Sequence, residues 1–388
     1  MGIASSIFRL LFARLIPFLV ISIAIFFGWL NLSPVPEGRF FATLIPLSKG
    51  IMPPILVGHG KMSGTPPVPI DLMPQPRPEN EMFLELPGGY QMPQNGLGTC
   101  CRPTAYDDVL IERTVLWYLL LGGRHIDTAQ LYLNHEAIGK GIKEAIRRGV
   151  PREEIFVTTK LSPAYYGRNF TTDIVPTFLD ELGLEYVDLI LMHSPLRVPG
   201  LQFMSQDCRQ RSLSRYDCIK ETYQTLSELR ERGIVRNIGI SNFPTSVIKH
   251  IQELDNVAPI ANNQINFNPW IHESWLETVE YCKQNGITIT GYFTLGGNLQ
   301  QHETNTITVL KDLSKKHGRS VAQIMLRWAI QMGTVIIPGT GNPEHMKENL
   351  AVYDFALSDE DMQAIANLRT DEEVKKFAGS QVSTSFLQ

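Results

Sequence analysis

Four side chains carry the possible chemistry of this chain: Asp127, Tyr132, Lys160 and His193. Asp127 and Tyr132 belong to Gly122-Gly123-Arg124-His125-Ile126-Asp127-Thr128-Ala129-Gln130-Leu131-Tyr132, where a short strand from Arg124 to Asp127 gives way to a loop. From Asn134 to Arg148 the apolar residues Ile138, Ile142, Ala145 and Ile146 recur at helical spacing, so the stretch reads strand, loop, helix. Tyr132 then stands on a loop that follows a strand ending in a carboxylate. A phenol can hand a proton to a developing alkoxide only if something lowers its pKa from about 10, and a cation is a usual means. Lys160 ends the next strand candidate, Ile155 to Lys160, and supplies that cation, with Asp127 as its natural ion partner. His193 ends a third, Tyr186 to His193, where it would orient a carbonyl oxygen by donating a hydrogen bond or help relay the proton. A lone strand-end histidine is more often a core residue, and a buried Asp-Lys pair is more often structural. Stability alone, however, gives no reason to gather four such groups on three strand ends and the loop between.

The elements that must hold them alternate along the chain. Beyond the three strands above, candidates are Gly96 to Thr99, Arg236 to Ile240, Ala261 to Asn266, Thr288 to Tyr292 and Thr334 to Pro338, and each leads towards a helical pattern. Eight strand-helix units over roughly 250 residues predict an α/β fold of the (β/α)8 TIM-barrel type, whose strand carboxyl ends converge on one mouth. Phe83-Leu84-Glu85-Leu86, a Pro87-Gly88-Gly89 turn and Tyr90-Gln91-Met92 predict a hairpin ahead of it. An open doubly wound sheet is the alternative, but Gly96-Leu97-Gly98-Thr99 lacks the third glycine of its phosphate-binding fingerprint.

At this point the sequence resembles the aldo-keto reductases. The resemblance is carried by Gly123 to Ala129 with Tyr132, Glu136 and Gly139, and by Gly96-Leu97-Gly98-Thr99 and Leu191-Met192-His193-Ser194-Pro195. It continues in Gly239-Ile240-Ser241-Asn242-Phe243, Asn263-Gln264-Ile265-Asn266, and Ile337-Pro338 followed by Glu348-Asn349. It implies nicotinamide-dependent reduction of an aldehyde or ketone without metal, with Tyr132 as general acid, Lys160 and Asp127 tuning it, and His193 orienting the carbonyl. By the same likeness Ser241, Asn242 and Gln264 would hold the nicotinamide carboxamide and Tyr292 would stack on its ring. Gly98, Thr99 and Leu295 would also lie along the cofactor, with Thr340, Glu348 and Asn349 near its adenosine end. Two departures stand out. Gly339 and His345 replace the lysine and arginine with which many members grip the 2′-phosphate, so NADP is expected with NAD possible. Gly291-Tyr292-Phe293-Thr294-Leu295-Gly296 lacks the serine and proline that often follow the tyrosine.

Three segments are expected. Residues 1–33 hold Leu15 to Leu32, eighteen positions without a charge, which read as a single-pass membrane anchor; a cleaved signal and a buried or interfacial helix are the alternatives. Flanking charges tie, with Arg9 and Arg14 against Arg39 and Lys49, so the side of the barrel is open. Met1-Gly2-Ile3-Ala4-Ser5-Ser6 fits an acylation pattern and Asn169-Phe170-Thr171 a glycosylation sequon. Residues 34–85 read as a proline- and glycine-rich linker, and 86–388 as the barrel. A net charge of −4 with scattered signs excludes a nucleic-acid face. The five cysteines read as reduced thiols, although Cys208 and Cys218 could pair in an oxidising compartment. Substrate preference would rest on the loops: Arg209, Arg211 and Arg215 could attract an acid, and Tyr165, Phe267 and Trp270 could line an apolar pocket. A cofactor-binding regulatory subunit and a cofactor-free isomerase are the competing readings.

Overall fold

The computed structural model describes residues 64–195, 205–296, 304–371 and 374. The expected anchor, the Gly2 pattern and residues 34–63 of the expected linker lie outside the described residues. Among the described residues no helix is long and apolar enough to cross a membrane.

A two-stranded hairpin comes first, β1 (Phe83–Leu86) and β2 (Tyr90–Pro93), paired antiparallel with Leu86 opposite Tyr90. Gly88 and Gly89 both have φ near +80°, a region glycine enters at no steric cost, and they close the three-residue turn. Eight parallel strands follow in sequence order: β3 (Leu97–Gly98), β4 (His125–Asp127), β5 (Phe156–Leu161), β6 (Val187–Met192), β7 (Val235–Ser241), β8 (Asn262–Asn266), β9 (Thr288–Tyr292) and β10 (Thr334–Ile336). The ring closes where Asn95 bridges Ile336, Gly96 donating to the Ile336 carbonyl at 2.8 Å. Gly98 is required at this seam, because a Cβ there would collide with the Ile337 carbonyl oxygen. This is the (β/α)8 fold expected, with strand ends displaced by a residue or two.

The helices start where the chain offers a cap. The Asp107 carboxylate accepts from the amides of Val109 and Leu110, both at 3.0 Å, and opens α1 (Asp108–Leu120). After it come α2 (His135–Arg147), α3 (Arg168–Leu182), α4 (Gln206–Gln210), α5 (Arg215–Glu231), α6 (Thr245–Gln252), α7 (Glu273–Gln284), α8 (Thr308–His317), α9 (Val321–Gln331), α10 (Pro343–Leu350) and α11 (Asp359–Ala366). A capping box of Ser320 and Gln323 starts α9, and another of Ser358 and Asp361 starts α11.

Strands β5 and β6 are buried on both faces, as expected where a parallel sheet is covered by helices. Inside the barrel, Phe156, Leu189, Leu191, Ala261 and Val335 pack together with Leu86 and Met92 from the hairpin. The hairpin therefore plugs the amino-terminal end, each fully buried side chain contributing roughly 1.5–3 kcal/mol. Alternation of period two then forces the character of the column: on β5, Phe156 lies at the apolar end, and Thr158 and Lys160 follow on the same face towards the opposite end.

Two findings differ from the sequence reading. Residues 64–82 of the expected linker are docked rather than free: Gln75 donates to the Leu120 carbonyl at 2.8 Å and the Trp117 indole to the Pro66 carbonyl at 2.9 Å. Prolines stop such a segment from pairing as a strand but leave its carbonyls available to helix side chains. The cysteines also differ, since Cys208 is bonded to Cys218 and Cys100 to Cys101, leaving Cys282 free and buried. Cys208 and Cys218 meet because α4 folds back on α5, bringing their Cα atoms to 5.7 Å.

Candidate active site

Asp127, the last residue of β4, has both carboxylate oxygens occupied. Lys160 Nζ lies 2.6 Å from Oδ1, and the Gln264 amide donates to Oδ2 at 2.7 Å. Thr99, fully buried, donates its hydroxyl to the Asp127 carbonyl at 2.9 Å and fixes the strand end. Lys160 is 1% exposed, so its charge has no water to rely on. Its three donors are directed at Asp127, at the Thr128 carbonyl at 2.9 Å and at the Tyr132 hydroxyl at 3.2 Å. An unpaired ammonium there would cost several kcal/mol, and this cradle is what makes burial tolerable.

Tyr132 ends a single 3-10 turn, Gln130–Tyr132, that stops at Leu133 in the left-handed region (φ 56°). Gln130 ties the turn to the exit of β5 by accepting from the Ser162 amide at 3.1 Å. The His193 ring stands edge-on to Tyr132, centroids 5.8 Å apart, and its Nδ1 is buried without a hydrogen-bond partner. Burial, helped by the Lys160 charge, pushes His193 down to about 3, so the ring is neutral at physiological pH and offers a hydrogen bond rather than a charge.

The expected acidification of Tyr132 is not the net result in this site. Burial raises its pKa above 10, and Lys160 works against that without reversing it. For Lys160 burial favours loss of the proton, but Asp127 and Tyr132 outweigh it and hold the pKa above that of an ordinary lysine. The phenol is thus kept loaded with its proton, beside a cation ready to stabilise the phenolate that transfer would leave.

These groups open on a cavity of about 420 Å³. Asp127, Tyr132 and His193 line it together with Ser241, Asn242, Gln264, Tyr292, Leu295 and Gly98. Asn242, at φ 64°, donates to Ser241 Oγ at 3.1 Å and to the His193 carbonyl at 3.3 Å, and accepts from the Tyr292 hydroxyl at 2.7 Å. Asparagine tolerates that backbone region better than other non-glycine residues. Thr340, Glu348 and Asn349 are not among the cavity's lining residues: Thr340 Oγ1 accepts from the Asn342 amide, and the Glu348 and Asn349 carbonyls accept from Gln323 and Asn95.

The loop expectations are redistributed. Phe267 stacks on Trp328 at 5.2 Å, Trp270 is 5% exposed and Tyr165 packs near Phe170, and none of them lines the cavity. Its rim is instead Tyr106, Leu131 and Phe293, which are 39%, 53% and 40% exposed. Arg211 is engaged by Asp207 and Glu221, Arg215 donates to the Pro195 carbonyl, and neither lines the cavity. Arg209 is exposed and does not line the cavity. Cys100, Cys101 and Arg102 also line the cavity. Their only signal in the sequence is position, on the loop leaving β3 at the carboxyl end. Among the described residues no cluster of His, Cys, Asp or Glu is placed to hold a metal ion.

Residues 94–370 match the sequence model of the Aldo/keto reductase family. A 9,11-endoperoxide prostaglandin H2 reductase of Trypanosoma cruzi is 35% identical over 300 residues, 76% of this chain and 94% of its own. An NADH-dependent D-xylose reductase of Candida parapsilosis is 32% identical over 306 residues, 74% of this chain and 91% of its own. Among solved structures, an aldo-keto reductase of Bombyx mori in complex with NADP superposes with a TM-score of 0.66 at 29% identity, covering 79% of this chain and 99% of that one.

Proposed function

This chain belongs to the aldo/keto reductase family, and on that premise we propose that Tyr132 is the proton donor in the NADP(H)-dependent reduction of an aldehyde or ketone to an alcohol. The observation that carries the proposal is the Lys160 ammonium 3.2 Å from the Tyr132 hydroxyl in a cavity shared with His193.

The bound nicotinamide supplies the hydride, and this chain supplies orientation and one proton. The carbonyl oxygen of the substrate sits between the Tyr132 hydroxyl and the neutral His193 ring, both donating to it. As negative charge grows on that oxygen, the phenolic O–H bond breaks and the proton moves to the substrate. Lys160, held by Asp127, stabilises the phenolate, and solvent restores its proton after the alcohol leaves. Asp127 contributes by fixing the ammonium, and Gln264 by fixing Asp127.

The cavity suits a dinucleotide: it is lined by strand-end amides, a tyrosine ring and close-approach glycines. We assign Ser241, Asn242 and Gln264 to the carboxamide, the Tyr292 ring to the nicotinamide face, Gly98 and Leu295 to the flanks of the pyrophosphate, and Thr340, Glu348 and Asn349 to the adenosine end. Thr99 acts beneath them, through its hydrogen bond to Asp127. The apolar rim of Tyr106, Leu131 and Phe293 favours a hydrophobic carbonyl over a sugar.

The test is the full chain in detergent, followed by nicotinamide absorbance with a panel of aliphatic and aromatic carbonyls and with xylose. Turnover of apolar aldehydes that collapses in Tyr132→Phe supports the reading. Cofactor binding with no turnover above that variant would make the chain a regulatory subunit instead.

The barrel is also assigned to a membrane surface through residues 15–32, supported by that uncharged run. The Cys208–Cys218 pair supports an oxidising side. Carbonate extraction with protease protection tests both, and release of the intact chain into the soluble fraction would remove the anchor.

A further inference from the structure

Arg102 is 7% exposed and lines the same cavity as Tyr132 and His193. Its Nη1 donates to the Gly98 carbonyl at 2.7 Å and its Nε to the Thr104 hydroxyl at 3.1 Å. Both acceptors are neutral, and Nη2 is buried without a hydrogen-bond partner. No carboxylate among the described residues pairs with it. The other buried arginine among the described residues is treated differently: Arg124 meets Glu154 at 2.9 Å. Burial alone, unrelieved by any acid, lowers Arg102 to about 10, which leaves it charged. A buried, charged guanidinium with an idle donor is costly, and its natural complement is an anion that arrives from outside.

The chain also makes room for it. A Cβ at residue 339 would collide with Arg102 Nη1, so the glycine there is what allows the guanidinium to lie against the exit of β10. This is the position where the resemblance leads one to expect a lysine, and here a guanidinium lies against it instead. That guanidinium comes from the loop after β3, adjacent to β10 across the seam of the barrel.

We propose that Arg102, admitted by Gly339, is the phosphate anchor of this chain's dinucleotide site. Its Nη2 and the outer edge of the guanidinium take the phosphate oxygens, while Gly98 and Thr104 hold the group in place. Either the 2′-phosphate or the pyrophosphate offers the same chemistry, and comparison of two cofactors separates them. A substrate carboxylate is the less favoured anion, because Arg102 stands at the seam between β3 and β10, whereas Tyr132 and His193 stand after β4 and β6.

The inference rests on the dinucleotide reading of the cavity. The experiment titrates NADPH and NADH into the full chain and follows quenching of tryptophan emission, with turnover not required. Arg102→Met is expected to weaken NADPH about 10- to 100-fold, the worth of one charge-assisted contact. Arg102→Lys is expected to recover part of that loss, and Gly339→Ala to mimic it by displacing the guanidinium. Loss with both cofactors assigns Arg102 to the pyrophosphate, and loss with NADPH alone assigns it to the 2′-phosphate. Parent-like affinity for both cofactors in Arg102→Met and Gly339→Ala overturns the proposal. So does a change confined to the KM of an acidic substrate. If the parent chain binds neither cofactor, the dinucleotide reading itself fails, which is a separate outcome. Melting temperatures of the cofactor-free proteins accompany each titration, so that unfolding of one variant leaves the other two to decide.

Discussion

Lys160 Nζ reaches the Tyr132 hydroxyl at 3.2 Å while Asp127 holds it from the other side at 2.6 Å. The pair links the charge that the proposed mechanism uses on the phenolate to a charge buried in the fold, and the two roles can be separated. Lys160→Met should lower kcat by about 10² to 10³, the range of an electrostatic contribution of this kind, and should destabilise the protein by roughly 3–5 kcal/mol, because the Asp127 carboxylate is left buried. Adding Asp127→Asn should recover much of the stability and none of the activity. Recovery of turnover by the double variant, measured beside urea unfolding, would show that the ammonium acts only as a counterion.

The pH profile follows from two shifts. Tyr132 must be protonated to donate, and burial holds its pKa above 10, so reduction should persist through neutrality and fall only as pH climbs past that value. His193 must be neutral to donate without adding charge, and burial holds it at about 3, so no acid limb should appear near 6.5. The measurement is kcat/KM for reduction from pH 5 to pH 10. A limb centred near 6.5 that vanishes in His193→Asn would contradict the neutral ring.

Stability should respond to acid through His125. Burial, partly opposed by Asp127 and the Pro93 carbonyl, depresses its folded-state value to about 4, below the 6.5 of an exposed histidine. The unfolded chain then binds the extra proton first as pH falls, so this contribution is intact above 6.5 and is lost between 6.5 and about 4. The loss amounts to roughly 3 kcal/mol. Urea midpoints at pH 7, 5.5 and 4.5 should decline, and decline less steeply in His125→Gln. Parallel curves for the two proteins would sink this account.

The Cys208–Cys218 link closes a short loop, with a sequence separation of 10. Constraining such a loop in the unfolded chain is worth roughly 2–4 kcal/mol. Cys208→Ser is therefore expected to lower the melting temperature of unreduced protein and to shrink the further drop caused by dithiothreitol to whatever the Cys100–Cys101 pair contributes. Alkylation of both cysteines in unreduced, urea-unfolded chain would show that they are thiols.

The sequence by itself determined the barrel, the hairpin and the strand-end placement of Asp127, Lys160 and His193. Those depend on local periodicity, and in a parallel sheet periodicity fixes both which face a side chain takes and how far along the strand it stands. It also placed Tyr132 on the following loop, since one turn of chain separates it from Asp127. Only the tertiary structure decided which charges are compensated. Arg211 read as a polar loop residue and Arg102 gave no signal of its own, yet Arg211 folds onto Asp207 and Glu221 while Arg102 is buried with neutral acceptors alone. The same holds for the rim, where Leu131 and Phe293 displaced the expected Phe267 and Trp270, and for the net effect of burial on Tyr132. Desolvation and charge pairing depend on neighbours brought from distant parts of the chain, and no spacing along one strand reports them.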